Sequence, residues 1–177
     1  MTAAESPVKL AVSAERRTIC YYGPIEAPSM LLVNTLLIEW ADESIEPIDL
    51  HIQSNGGELM PALYTVDVIT ASSAPVRTHV DGFAASAATL LTVSGTERWM
   101  TRHSSMMIHQ LSTAFQGSYR EQVEATQNSA MLMDHVLDVY RKHTNLTDAQ
   151  LRELLLKDIW LPADICLHYG LVDHVAE

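Results

Sequence analysis

Two strand–glycine–helix units constrain this chain more than anything else in it. Ile48 to Gln53 reads as a strand, runs into Ser54-Asn55-Gly56-Gly57, and gives way to a helical pattern from Leu59 to Thr70. Pro61 falls in the first turn of that helix, where a missing N–H is tolerated. Val76 to Val80 is a further strand, followed by Asp81-Gly82 and then by a run through Ser86, Ala87, Ala88, Leu90 and Leu91 that favours helix. Strands alternating with helices predict an α/β fold with a mainly parallel sheet. Other strands are expected at Arg17–Tyr22, Glu97–Met100, Met106–His109, Asp158–Leu161 and Leu171–Val175. Helices are expected at Ala27–Trp40, Tyr119–His143, Thr147–Leu156 (with a Thr147/Gln150 capping box) and Ala163–Tyr169, the last stopped by Gly170. Phe115–Ser118 is left unassigned, and residues 1–15 are expected to be loosely ordered and flexible ahead of a single domain at 16–177.

Composition narrows the function classes. A 177-residue chain that is 47% hydrophobic can bury one real core. Its net charge of −11 argues against nucleic-acid binding. Cys20 and Cys166 stand too far apart for metal-ligand spacing or a disulfide framework, so a reducing, cytoplasmic setting without a metal is expected. No signal peptide is read at the N-terminus, and the longest apolar stretch, Phe83 to Val93, is too short to cross a membrane.

The chemistry centres on Ser86. Glycine and alanines crowd it, which lets the backbone turn sharply and a substrate approach closely. A serine placed in the first turn of a helix stands beside free N–H groups, that of Ala87 among them, suited to a developing negative charge. The plainer alternative is a tightly packed small-residue helix that Ser86 merely starts. Among eight histidines, His109 ends an apolar strand and so sits at a sheet edge, where active-site groups collect; His103 and His51 are its rivals. Asp158 precedes the apolar Ile159-Trp160-Leu161, and an acid at the mouth of a buried strand needs a partner such as an imidazole N–H; Asp81 and Asp67 are alternatives. Gly56-Gly57 can offer a backbone N–H, with Ala87 as second donor, to an oxyanion. The loop lacks the lysine and spacing of a phosphate-binding motif.

Taken in order, these segments resemble the Clp protease proteolytic subunit (ClpP) family. IDLHIQSNGG is similar to its strand and Ser-Pro-Gly-Gly loop, GFAAS to its nucleophile motif, SSMMIHQ to its histidine motif and KDIWLPADICLHYGLVDHV to its C-terminal segment. The resemblance implies Ser86 as nucleophile, His109 as general base and Asp158 as orienting acid. It also implies an oxyanion hole from the backbone of Gly57 and Ala87, with Gly56 shaping the loop. The implied fold is a crotonase-like β/α spiral with a protruding strand–helix handle at about 119–143. The implied assembly is two stacked heptameric rings, a homo-oligomer fed unfolded polypeptides by an AAA+ unfoldase. ATP would be spent by that partner, leaving this chain without a cofactor. The family pattern is departed from at Asn55 (usually Pro), Ala87 (usually Met), Leu111–Phe115 (usually Pro and a glycine-rich strand) and Leu156-Lys157 (usually an acid–arginine pair). The readings carried forward are a serine endopeptidase, a weakly active or non-catalytic ring subunit working with a paralogue, and a crotonase-like acyl-CoA enzyme.

Overall fold

Alternation of buried and half-exposed residues along Ile48–Ser54 (β3) shows how the molecule is layered. Ile48, Leu50 and Ile52 are fully buried, while Asp49, His51 and Gln53 look out from the other face. The computed structural model describes residues 8–176 and places β3 centrally in a mixed sheet. Lys9–Ser13 (β1) pairs antiparallel with Thr18–Tyr22 (β2), which lies parallel to β3. Beyond β3 come Val76–Ala85 (β4), Glu97–Thr101 (β5) and, last in the chain, His174–Ala176 (β8), all parallel to their neighbours.

The helices follow from sequence as expected. Ala27–Glu43 (α1) begins with a proline in its first turn, and Leu59–Ala71 (α2) buries Ala62, Thr65, Val66 and Ile69. Ala87–Val93 (α3) is wholly buried, a consequence of its small and apolar side chains. Tyr119–His143 (α4) opens with a Ser118/Glu121 capping box and ends in Arg141-Lys142-His143, which suits its dipole. Only Val136, Leu137 and Tyr140 of α4 are buried; its N-terminal half protrudes, with Tyr119 and Met131 exposed. Asp148–Leu155 (α5) carries the expected Thr147/Gln150 capping box, and Ala163–His168 (α6) precedes Gly170.

Four sequence expectations need correction. Residues 9–13, expected to be loose, form β1, because β2 has an unpaired edge and the two alternate in matching register; residues 1–7 lie outside the described part. The strand expected to stop at Val80 continues to Ala85. It changes neighbour on the way: Arg77–Val80 pairs with β5, and Phe83–Ala85 pairs with Ser105–Met107 (β6). Ser104 makes the switch possible, because its hydroxyl accepts from Gly82 N–H at 2.9 Å and donates to Val80 O at 3.0 Å. The strand expected at Asp158–Leu161 is only Leu161–Pro162 (β7), since β6 offers just Ser105 and Met106 as partners there. The final strand starts at His174, three residues later than expected, after the Leu171-Val172 pair has entered the core.

Candidate active site

The C-terminal ends of β3 and β4 converge on the start of α3, the place where parallel sheets gather functional groups. Ser86 does not lie in the first turn of α3 but just ahead of it, at φ 56° and ψ −132°. That left-handed backbone costs a non-glycine residue on the order of 1–3 kcal/mol and is kept only where surrounding bonds over-determine it. Here Ser86 N–H donates to Met107 O at 2.8 Å, and Ser86 O accepts from Thr89 N–H at 3.0 Å and Thr89 Oγ1 at 2.6 Å. A serine that merely starts a helix spends its hydroxyl on an N–H of the first turn. The Ser86 side chain caps nothing in α3.

A cavity of about 270 Å³ opens at this turn, lined by Ser86, Ala87, Gly57 and His109, with Leu59 and Leu90 in its apolar wall. Gly56, at φ 92°, presses on the serine turn: a Cβ there would sit 2.6 Å from Ser86 Cβ and 2.7 Å from Ala85 O. Gly56 O accepts from Ile25 N–H, and Glu58 N–H donates to Ile25 O, both at 2.8 Å. These bonds leave the Gly57 N–H without a backbone partner among the described residues, on the cavity wall. The Ala87 N–H, first in α3, has no carbonyl one turn back to bond.

His109, expected to end the strand Met106–His109, instead follows β6 by two residues, where the chain has turned to bond α5: Gln110 N–H donates to Leu155 O at 2.8 Å. Its Nδ1 stands 3.8 Å from Asp158 Oδ1, an ion-pair distance longer than a hydrogen bond. The Asp158 side chain is 82% exposed, so the expected carboxylate at a buried strand mouth is corrected to one on an exposed connection between α5 and β7. That connection is pinned by Trp160, which meets the ring of Phe83 edge-on at 6.0 Å.

The rival residues are engaged elsewhere. His51 on β3 and His79 on β4 are register partners on the face opposite the core, stacked at 4.2 Å; the row continues through Trp99 on β5 to His174 on β8. Asp81 takes His51 Nδ1 at 3.0 Å and the Tyr22 hydroxyl at 2.6 Å, and Asp49 takes His79 Nε2 at 2.9 Å and Arg77 Nη2 at 2.6 Å. Burial alone would raise the carboxyl pKa of both acids; their hydrogen bonds outweigh it and hold them below the usual range. Burial lowers the pKa of His79 despite its bond to Asp49, and the neighbouring His51 adds to the effect. Asp67 lines a separate groove between α2 and α4, and His103 is exposed in a turn. Of the histidines weighed, only His109 lines the Ser86 cavity.

Residues 6–177 match the family model described as Clp protease. The chain belongs to the Clp protease family. An ATP-dependent Clp protease proteolytic subunit from Deinococcus radiodurans is 30% identical over 164 residues, covering 91% of this chain and 80% of that relative. Among solved structures, a ClpP1 variant from Listeria monocytogenes matches with a TM-score of 0.83 over 92% of both chains, at 22% identity, which shows the shared ClpP fold. The crotonase-like acyl-CoA reading gives way to a ClpP-family protease subunit on the family match. No helix among the described residues is long and apolar enough to cross a membrane. Sequence reasoning missed Thr89 and Tyr140 as parts of this site. Tyr140 was legible only as the end of an apolar stripe on α4, and nothing in the spacing ties it to Thr89, 51 positions earlier.

Proposed function

We propose that this protein is a serine endopeptidase in which Ser86 is the nucleophile, His109 the general base and Asp158 the orienting acid. The observation that carries the reading is the strained Ser86 turn. It leaves the hydroxyl uncommitted at a cavity shared with His109 and the N–H groups of Gly57 and Ala87. His109 Nδ1 faces Asp158, so Nε2 is the nitrogen left to take the Ser86 proton as Oγ attacks a peptide carbonyl. The tetrahedral oxygen is stabilised by the Gly57 and Ala87 N–H groups; His109 then protonates the leaving amine, and water hydrolyses the acyl-enzyme by the same path in reverse. Asp158 bonds the imidazole after closing by about 1 Å, a tightening typical of an occupied site. The reaction needs no cofactor in this chain. Family membership supports unfolded polypeptides as substrates, two stacked seven-membered homo-oligomeric rings interlocked through α4, an ATP-consuming AAA+ unfoldase as partner, and work in the cytoplasm.

A second reading, a weakly active ring subunit acting mainly in assembly with a paralogue, is favoured by one observation: Asp158 stands exposed and outside hydrogen-bond reach. A fluorophosphonate probe with adduct mapping by mass spectrometry separates the two. Labelling at Ser86 that is lost in His109→Ala supports the endopeptidase. A folded, assembled protein that stays unlabelled with its unfoldase present overturns it in favour of the second reading.

A further inference from the structure

The serine turn is held from a direction the family motifs do not include. Thr89, one turn into α3, donates its only hydroxyl proton to Ser86 O at 2.6 Å. The Thr89 oxygen also lies 2.5 Å from the Tyr140 hydroxyl. Because the threonine proton is spent on Ser86, Tyr140 must be the donor of that second bond. Both side chains are buried, Thr89 fully and Tyr140 to within 1%. Burial raises the phenol's pKa, which keeps its proton in place. A continuous relay therefore runs from the long helix α4, through Tyr140 and Thr89, to the carbonyl of the strained residue. The Ser86 carbonyl belongs to the same peptide plane as the Ala87 N–H, so whatever fixes one aims the other.

We propose that Tyr140 and Thr89 form a positioning pair for the nucleophile turn: α4 reaches across the cavity and holds the Ser86–Ala87 peptide in the orientation that points its N–H into the site. This rests on the reading of Ser86 as nucleophile and Ala87 as an oxyanion donor. The pair acts through that peptide and touches no reacting atom.

The test compares wild type with Tyr140→Phe, Thr89→Val and Thr89→Ser. For each, the rate of fluorophosphonate labelling, kcat and KM on a fluorogenic peptide, and Tm are measured. Labelling of the wild type at Ser86 comes first; failure there sinks the catalytic reading itself, and the pair falls with it. With the wild type labelling, Tyr140→Phe and Thr89→Val are each expected to slow labelling and kcat about tenfold, the loss of about 1.4 kcal/mol of transition-state stabilisation, with KM little changed. Thr89→Ser keeps the hydroxyl and restores both. A double variant no slower than the worse single one places the two groups on one path. Variants that lose Tm but, measured while folded, keep wild-type labelling and kcat overturn the proposal and leave a purely structural hydrogen bond.

Discussion

Replacing Gly56 by alanine puts the geometry of the serine turn under a quantitative test. The added Cβ would lie 2.6 Å from Ser86 Cβ, 2.7 Å from Ala85 O and 3.0 Å from Ala87 N. Optimal carbon–carbon separation is about 3.5–4.0 Å, so the serine turn and the Gly56 loop must part by about 1 Å. None of the three obstructing atoms is the far end of a flexible side chain, so the shift falls on the backbone that aims Ser86 and the Ala87 N–H. A misplacement of about 1 Å at a reacting centre costs about 100-fold. Losing one oxyanion donor costs about 10²–10³ in kcat. Either route predicts a fall in kcat of at least about 100-fold. The backbone itself, at φ 92°, adds on the order of 1–3 kcal/mol of strain for any L side chain. Gly82→Ala separates the two effects. Gly82 has a comparable φ of 80°, yet a Cβ there meets nothing nearer than Gln53 Oε1 at 3.7 Å. Both variants should lower Tm, and only Gly56→Ala should lower kcat on a fluorogenic peptide by the larger factor. Equal activity in the two would show that the contact between the loops does not set the catalytic geometry.

Asp158→Asn should cut kcat steeply, since an amide cannot hold the imidazole in the required tautomer. It should leave Tm essentially unchanged, because the carboxylate is exposed and, among the described residues, bonds nothing beyond its long contact with His109; a large Tm loss with kcat intact would contradict this. Acidification should destabilise the fold in two stages, read as the urea midpoint against pH. His79 is held neutral by burial with its pKa lowered, so its contribution is present above the ordinary histidine value near 6.5 and is lost as pH falls below it. Asp49 and Asp81, and Asp173 through its Arg98 bonds, have lowered pKa values; their contribution is present above about pH 4 and is lost as pH falls through their folded values. A midpoint higher at pH 5 than at pH 7.5 would refute that assignment.

What could be read in the sequence was whatever one segment specifies by itself. The helix at Tyr119–His143 was legible because apolar residues repeat at three- and four-residue steps along it. The Ser54–Gly57 turn was legible because a glycine pair ends the strand there. Residues 9–13 were not, since a short edge strand such as β1 is made by the neighbour it pairs with rather than by its own pattern. The end of β4 was hidden for a related reason. Asp81-Gly82 looks locally like a turn, and only the Ser104 hydroxyl, 22 residues away, lets the strand pass through it into a second pairing. The environment of Asp158 was misread. Ile159-Trp160-Leu161 after it are apolar, which reads as a buried strand, yet only Leu161 is buried while Ile159 and Trp160 are exposed.

Those exposed side chains bear on how the site is completed. Leu156 is 72% exposed and Ile159 47%, on the same short connection that carries Asp158. Apolar groups so placed on a family member of this kind call for a covering surface, and the N-terminal half of α4, with Tyr119, Val123 and Met131 exposed, makes the same demand. The serine turn is different: Met107, Thr89 and Tyr140 hold it from within one chain. Under the proposed chemistry, the nucleophile and oxyanion donors are thus built by the fold of a single chain, while the acid stands 3.8 Å from His109, about 1 Å beyond a hydrogen bond, on an exposed connection. If the chain also assembles as proposed, that division makes the His109–Asp158 contact the step most open to control by assembly. Activity should therefore depend on protein concentration more steeply than Ser86 probe reactivity does. If the two quantities follow the same concentration curve, the acid is not the element that assembly completes.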